Sequence, residues 1–266
     1  MQDMSAYALD GRTAIVTGSG SGIGRGTALE MANAGAHIVV AELQQDAADE
    51  TAAMIRALGR RALVVATDVT SVESVENMVA AAVHEFGGVD ILVNNVGGLG
   101  PKPKKTTITE LEIDEWESLL RLNLTSQFIC CKAFITLLLR SDRRGVIVNI
   151  ASLAALVPYE TSVVYGAAKA GVVSMTQTLA AEYGKHGVRV NCIAPGHVRT
   201  PIPEALYQGR EELRAAQNRI IPVGRWGEPE ELGRLAVFLA SDASSYVTGQ
   251  TIVASGGMTY FLTKVH

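Results

Sequence analysis

Residues 13–24 read TAIVTGSGSGIG, and they state the fold in miniature. Thr13 to Thr17 have strand character, Gly18 breaks the run, and Gly20, Gly22 and Gly24 follow with serines between them. Helix-forming residues continue from Ile23 to about Asn33. Strand, glycine turn and helix in that order let bare backbone N–H groups face an anion at a helix N-terminus. The literal G-x-G-x-x-G spacing is absent; the chain has Thr17-Gly18-x-x-x-Gly22-x-Gly24. A glycine turn alone is a weak signal, so the flanking chain must supply the rest.

The same alternation recurs outward from it. A strand at His37 to Ala41 ends at Glu42, placed to accept from ribose hydroxyls. Leu63 to Ala66 ends at Asp68-Val69, a helix runs from about Val72 to Phe86, and Asp90 to Val93 closes on Asn94-Asn95-Val96-Gly97-Gly98. A long amphipathic pattern from Asp114 to about Arg140 is interrupted by Asn123, a poor residue for a helix interior because its amide competes for backbone groups. Gly145 to Ile150 is a fifth strand, with Ser152 just past its carboxyl end. Strands separated by helices of ten or more residues imply an α/β, doubly wound Rossmann fold with a mostly seven-stranded parallel sheet flanked by helices on both faces. No linker or composition shift divides the chain, so residues 1–266 are expected to form a single domain.

Residues 152–169 read SLAALVPYETSVVYGAAK. Tyr165 and Lys169 stand four apart in a helix-compatible run, which puts both on one helix face. An ammonium beside a phenol favours the phenolate. Bringing a tyrosine from near 10 to about 7 takes roughly 4 kcal/mol of differential stabilisation, which a lysine, hydroxyl donors and a cationic cofactor could supply together. Taken alone, Tyr-x-x-x-Lys is usually an ordinary surface pair. Ligands bind outside the carboxyl ends of such strands, where Ser152 and this helix meet.

Composition excludes several classes. The formal net charge is −4, with no basic cluster for nucleic acid. The three cysteines have neither disulfide nor zinc spacing, and the five histidines show no paired helical spacing, so no metal is expected. Met1 to Leu9 lack a signal peptide's pattern, and no apolar run is expected to reach membrane-spanning length. A soluble cytoplasmic protein is expected.

From Gly11 to about Gly257 the chain resembles the short-chain dehydrogenase/reductase family, with the motifs in order. The resemblance implies a catalytic set of Asn123, Ser152, Tyr165 and Lys169. It also implies an NAD site at Gly18, Gly22, Ile23, Gly24, Glu42, Asp68, Val69, Asn95, Gly97, Tyr165, Lys169, Pro195, Gly196, Val198 and Thr200. Val96 replaces the usual alanine of N-N-A-G, and Ser255 stands where aspartate is common. Tyr165 would exchange the proton of a secondary alcohol, with Lys169 lowering its pKa. Ser152 would hold the substrate oxygen, and Asn123 would break its helix to hold a relay water.

The family's variable pieces correspond to Leu99–Thr107, Leu153–Val164 and a substrate lid at about 201–222. The small-residue face of the helix at about Val163 to Tyr183 and the apolar tail Tyr260-Phe261-Leu262 imply a homotetramer, the family's usual assembly. The run from Asn94 to Pro103 and the ending Ser255-Gly256-Gly257 are similar to bacterial 7α-hydroxysteroid dehydrogenases, which implies a cyclic or polycyclic small-molecule substrate. Two rivals stay open: an NADPH-dependent 3-oxoacyl-[acyl-carrier-protein] reductase, and a catalytically silent NAD-binding sensor or scaffold.

Overall fold

The computed structural model describes residues 5–99, 107–160, 162–201 and 209–258. Outside them lie most of the expected substrate loop at 99–107, the lid residues Ile202, Leu206 and Tyr207, and the tail Tyr260-Phe261-Leu262.

Seven strands form one parallel sheet: β1 (Thr13–Thr17), β2 (His37–Glu42), β3 (Ala62–Ala66), β4 (Ile91–Asn94), β5 (Gly145–Ile150), β6 (Val188–Pro195) and β7 (Thr251–Ala254). Their order is β3-β2-β1-β4-β5-β6-β7. The chain therefore reverses its direction of travel across the sheet between β1 and β4, and the crevice at such a switch point is where ligands bind. Strand β4 begins one residue later than expected. Asp90 spends its carboxylate outside the strand, accepting from Thr13 N at 2.9 Å and from Arg143 at 2.8 Å.

Side-chain alternation along the strands builds two cores. Ala14, Val16, Ile38 and Val40 share one core with α1 (Gly22–Asn33) and α2 (Gln45–Ala57), and Val146 and Val148 join it beside Leu232, Ala236 and Leu239. Ile15, Val39, Leu92 and Ile147 face α3 (Val72–Phe86) and the helix that carries Phe134. Both faces of a parallel sheet are covered, which is why the strands read as near-continuous apolar runs. Phe134 is fully enclosed, and burial of such a ring stabilises by about 2–3 kcal/mol. Helix α2 carries no sequence expectation above. Its buried face is Ala48, Thr51, Ala52 and Ile55, too small to print a strong apolar period.

The long amphipathic segment resolves into α4 (Ile113–Leu120), a π-helical turn (Arg121–Thr125) and α5 (Ser126–Ser141). Ser126 N reaches back to Arg121 O, an i to i−5 bond, so the interruption expected at Asn123 is one wide turn rather than a break. Against expectation, Ile113–Ser141 is long and apolar enough to cross a membrane by length and composition. Half of that apolar window is buried inside the fold, where Phe134, Ile135 and Leu138 join the second core. Among the described residues the remaining α-helices are α6 (Val163–Tyr183), α7 (Glu211–Arg219) and α8 (Pro229–Ala240).

Candidate active site

A cleft of about 390 Å³ opens along the carboxyl ends of the strands. It begins at the glycine loop. Gly18 (φ +64°) and Gly22 (φ +52°) adopt left-handed backbone that a side chain would strain. A Cβ on Gly24 would run into Gly18 O and lie 2.6 Å from Asn95 Nδ2, so α1 can approach the strand only with a bare residue there. Gly24 thus packs beneath the loop, while Gly18, Ser21, Gly22 and Ile23 line the cleft. Ser21, the N-cap of α1, makes no side-chain cap bond. The first N–H groups of α1 have no intrahelical partners, and an anion is the group that suits them. A dinucleotide's pyrophosphate fits this cradle.

Glu42 forms the next wall. Its Oε2 accepts from Gly20 N at 3.0 Å, and its Oε1 accepts from Leu43 N at 2.8 Å and Gln44 N at 3.1 Å. Three backbone donors fix the carboxylate at the end of β2. Arg25, the guanidinium nearest the loop in sequence, is turned to Gly20 O, Thr51 and Glu50. Asp68 accepts from the Thr70 hydroxyl at 2.7 Å and from Thr70 N at 2.9 Å, and these bonds hold its carboxyl below the usual range. Val69 beside it is buried and lines the cleft. Among the described lining residues stand two carboxylates and one cation, Lys169.

Asn95 stitches the floor. Its Nδ2 donates to Thr17 O at 3.0 Å and Gly18 O at 3.1 Å, and its N–H donates to Thr17 Oγ1 at 3.0 Å. The role of Thr17 was not legible in advance, since a strand-end threonine carries no distinctive signal. Asn123 is fully buried, and its amide clasps Gly98 from both ends: Oδ1 accepts from Gly98 N at 2.8 Å, and Nδ2 donates to Gly98 O at 2.9 Å. Nδ2 also donates to Leu119 O at 3.0 Å. Both amide protons are committed, so the side chain holds the loop after β4 rather than lining the cleft, and any relay water would have to use its main chain. Gly97 sits between these groups. A Cβ there would fall 2.7 Å from Asn123 Oδ1 and 2.8 Å from Lys169 Nζ.

Ser152, Tyr165 and Lys169 converge on the cleft. Ser152 opens a short 3-10 turn (Leu153–Ala155), accepting from Ala154 N at 3.2 Å, and hydrogen-bonds the Tyr165 phenol. Lys169 Nζ donates to Ile150 O at 2.9 Å and lies 5.8 Å from the centre of the Tyr165 ring. Burial pushes the Tyr165 phenol above its usual value, and the Ser152 bond pulls the other way. Burial likewise brings the Lys169 ammonium down to about 8. In the protein alone burial is the largest influence on the phenol, and the Lys169 ammonium is bonded to the end of β5.

The far wall comes from the segment after β6. Pro195, Gly196, Thr200 and Pro201 line the cleft, and a Cβ on Gly22 would meet Thr200 Cγ2 at 3.0 Å, so Thr200 closes over the glycine loop. Val198 faces inward, packed in the first core and bridged to Gly227. Beside this wall Leu153, Ile221, Trp226 and Met258 form a separate apolar cluster, joined by Val157, Tyr159 and Ile220. Described residues of two expected variable pieces, 153–164 and 201–222, thus share one cluster. Trp226 and its stacking partner His197, with ring centres 5.5 Å apart, carry no signal in the sequence alone.

Residues 18–259 match a family model described as enoyl-(acyl carrier protein) reductase. A short chain dehydrogenase/reductase, astE, of Aspergillus oryzae is 43% identical over 95% of this chain and 96% of its own. The 3beta-hydroxysteroid dehydrogenase 1 of Eggerthella lenta is 40% identical over 95% of each. Among solved structures, a 7α-hydroxysteroid dehydrogenase complexed with NADH and 7-oxo glycochenodeoxycholic acid superposes with a TM-score of 0.90 at 33% identity, covering 97% of this chain and 98% of that one. A protein of Agrobacterium tumefaciens with bound NADP, provisionally assigned as a 2-deoxy-D-gluconate 3-dehydrogenase, gives 0.87 at 35%, over 96% and 99%.

Proposed function

This chain belongs to the short-chain dehydrogenase/reductase family, oxidoreductases of CH–OH groups that bind a nicotinamide cofactor, and on that footing we propose that it interconverts a cyclic or polycyclic secondary alcohol and its ketone with NAD(H). The observation that carries this reading is the convergence of Ser152, Tyr165 and Lys169 on the cleft that starts at the glycine loop.

The nicotinamide supplies hydride chemistry when bound. The chain's own residues handle the proton and the placement. Tyr165 gives its hydroxyl proton to the substrate oxygen in reduction and takes it back in oxidation. Ser152, already bonded to that phenol, orients the same oxygen. Holding the reactants in this way can replace several kcal/mol of entropic barrier. Lys169 contributes positive charge beside the phenol and donors toward the cofactor's ribose. Asn123 keeps the loop of Gly97 and Gly98 in place against Lys169.

NAD over NADP is supported by Glu42, a fixed carboxylate at the ribose end with no cation beside it among the described lining residues. A 2′-phosphate there would meet like charge. A ring-shaped substrate is supported by the substrates named for the Eggerthella lenta relative and the bile-acid complex. The rival reading of acyl reduction draws on the description of the matching family model. Homotetramer assembly is supported by large exposed side chains on α5 and α6, Phe128, Leu139 and Val163. Three buried free cysteines fit a cytoplasmic setting.

The test is a screen for NAD and NADP reduction across steroid, cyclic-diol, sugar and acyl alcohols. NAD-linked turnover of a ring alcohol is expected. Activity on acyl thioesters alone would overturn the substrate assignment.

A further inference from the structure

Gln127 sits in the first turn of α5, buried to 2% exposure. Its Nε2 donates to the carbonyl oxygen of Ile150 at 3.0 Å, the same atom that accepts from Lys169 Nζ at 2.9 Å. Ile150 ends β5, two residues before Ser152. At the other end of the Gln127 amide, Oε1 is buried with no hydrogen-bond partner among the described residues. A buried amide with an orphan acceptor is less favourable than an apolar side chain of the same shape. The residues one turn on, Cys130 and Cys131, are buried in the second core on this face. Packing therefore gives no reason for a glutamine here. The shared oxygen does.

We propose that Gln127 is a positioning residue for Lys169: by occupying one lone pair of the Ile150 carbonyl, it confines the ammonium to the other, on the cleft side. Ile150 and Lys169 line the cleft while Gln127 does not, so the glutamine approaches that oxygen from behind. A carbonyl oxygen has two acceptor sites. With the glutamine removed, the whole oxygen becomes available to the ammonium. Its charged form is then better held, and it relaxes away from Tyr165. The titratable groups facing Lys169 are Tyr165 on its own helix and Cys192 on β6. Tyr165 acts on Tyr159, and Cys130 acts on Cys131. Asp114, Glu115 and Glu117 of α4 and Arg121 of the π-turn are not among the groups that shift Lys169. The inference rests on the reading of Lys169 as the residue that serves Tyr165.

The experiment compares wild type with Gln127→Met, and with Gln127→Leu should the methionine variant fail to fold. In the ligand-free protein, thermal unfolding is followed from about pH 7 to 10, each background also carrying Lys169→Met, so that the difference isolates the lysine. The midpoint of the lysine's contribution should move up by about half a pH unit or more, with Tm at pH 7 no lower than wild type. In turnover with NAD and cyclohexanol as the probe alcohol, the ascending pH limb should move the same way. There kcat should fall about fivefold or more while KM for cyclohexanol changes less than about twofold. An unmoved midpoint with a lowered Tm would make Gln127 a structural residue only and overturn the proposal. Failure of the underlying reading looks different: Tyr165→Phe would keep its turnover, while the ligand-free comparison would still report on Gln127.

Discussion

Lys169 Nζ is bonded to the carbonyl of Ile150 at 2.9 Å and stands 5.8 Å from the centre of the Tyr165 ring, so the ammonium is tethered to the sheet and not to the phenol. The pair shares one helix face, as four-residue spacing requires, yet the lysine's strongest contact is with β5. Each of the following expectations turns on a contact of this kind.

The buried ammonium should disfavour the ligand-free fold at neutral pH. Lys169 falls from 10.5 to about 8 through burial, a differential of roughly 3 kcal/mol. Its folded value lies below its unfolded one, so the unfolded chain binds more protons between those limits. The lysine's contribution to stability therefore rises with pH from about 8 to 10.5. Denaturant unfolding of wild type and Lys169→Met should show the variant's relative advantage at pH 7 shrinking by pH 9. A difference independent of pH would contradict the buried charge.

Cofactor choice should follow Glu42. Glu42→Ala removes the charge and the acceptor for three backbone donors. The NADP-to-NAD ratio of kcat/KM should rise about tenfold or more, equivalent to about 1.4 kcal/mol. Loss of the loop bonds should lower stability by about 1–3 kcal/mol. An unchanged ratio, or tighter NADP than NAD binding in the wild type, would remove Glu42 from the account.

Gly97→Ala adds one methyl where Asn123 Oδ1 and Lys169 Nζ would lie within 2.8 Å of it. Overpacking of this kind typically costs about 1–3 kcal/mol. Turnover should fall further than stability, because Lys169 lines the cleft and Asn123 holds the Gly97–Gly98 loop beside it. Turnover retained alongside reduced stability would show that the positions of Asn123 and Lys169 are slack.

Much of this was legible in the sequence. The strand–glycine–helix unit, the strand ends that carry Glu42 and Ser152, and helix α6 over Val163–Tyr183 read directly from apolar runs and breakers. Less legible was whatever depends on which atom a polar group chooses. Asn123 signals an interruption, but not that its amide clasps Gly98. Tyr165 and Lys169 signal a pair, but not that burial is the largest influence on each in the protein alone. Gln127, Thr17 and Trp226 carry no pattern, because their meaning lies in partners distant along the chain. Helix α2 was missed because its buried face holds a single large apolar residue, Ile55, beside Ala48, Thr51 and Ala52.

Assembly should depend on α5. Phe128 is half exposed there, and a large aromatic in that state favours a covered position. Light scattering at micromolar concentration should give a mass above one chain, and Phe128→Asp should lower it. A monomeric wild type would contradict the assembly.

The most direct measurement is turnover of Tyr165→Phe on the best alcohol found for the wild type, with NADH binding followed by fluorescence in the same preparations. The phenylalanine preserves the ring and removes only the hydroxyl that Ser152 bonds. NADH affinity and Tm should stay near wild type while kcat falls by about 10²-fold or more, the scale of a lost general acid–base. Near-normal turnover in that variant would contradict the assignment of the proton to Tyr165.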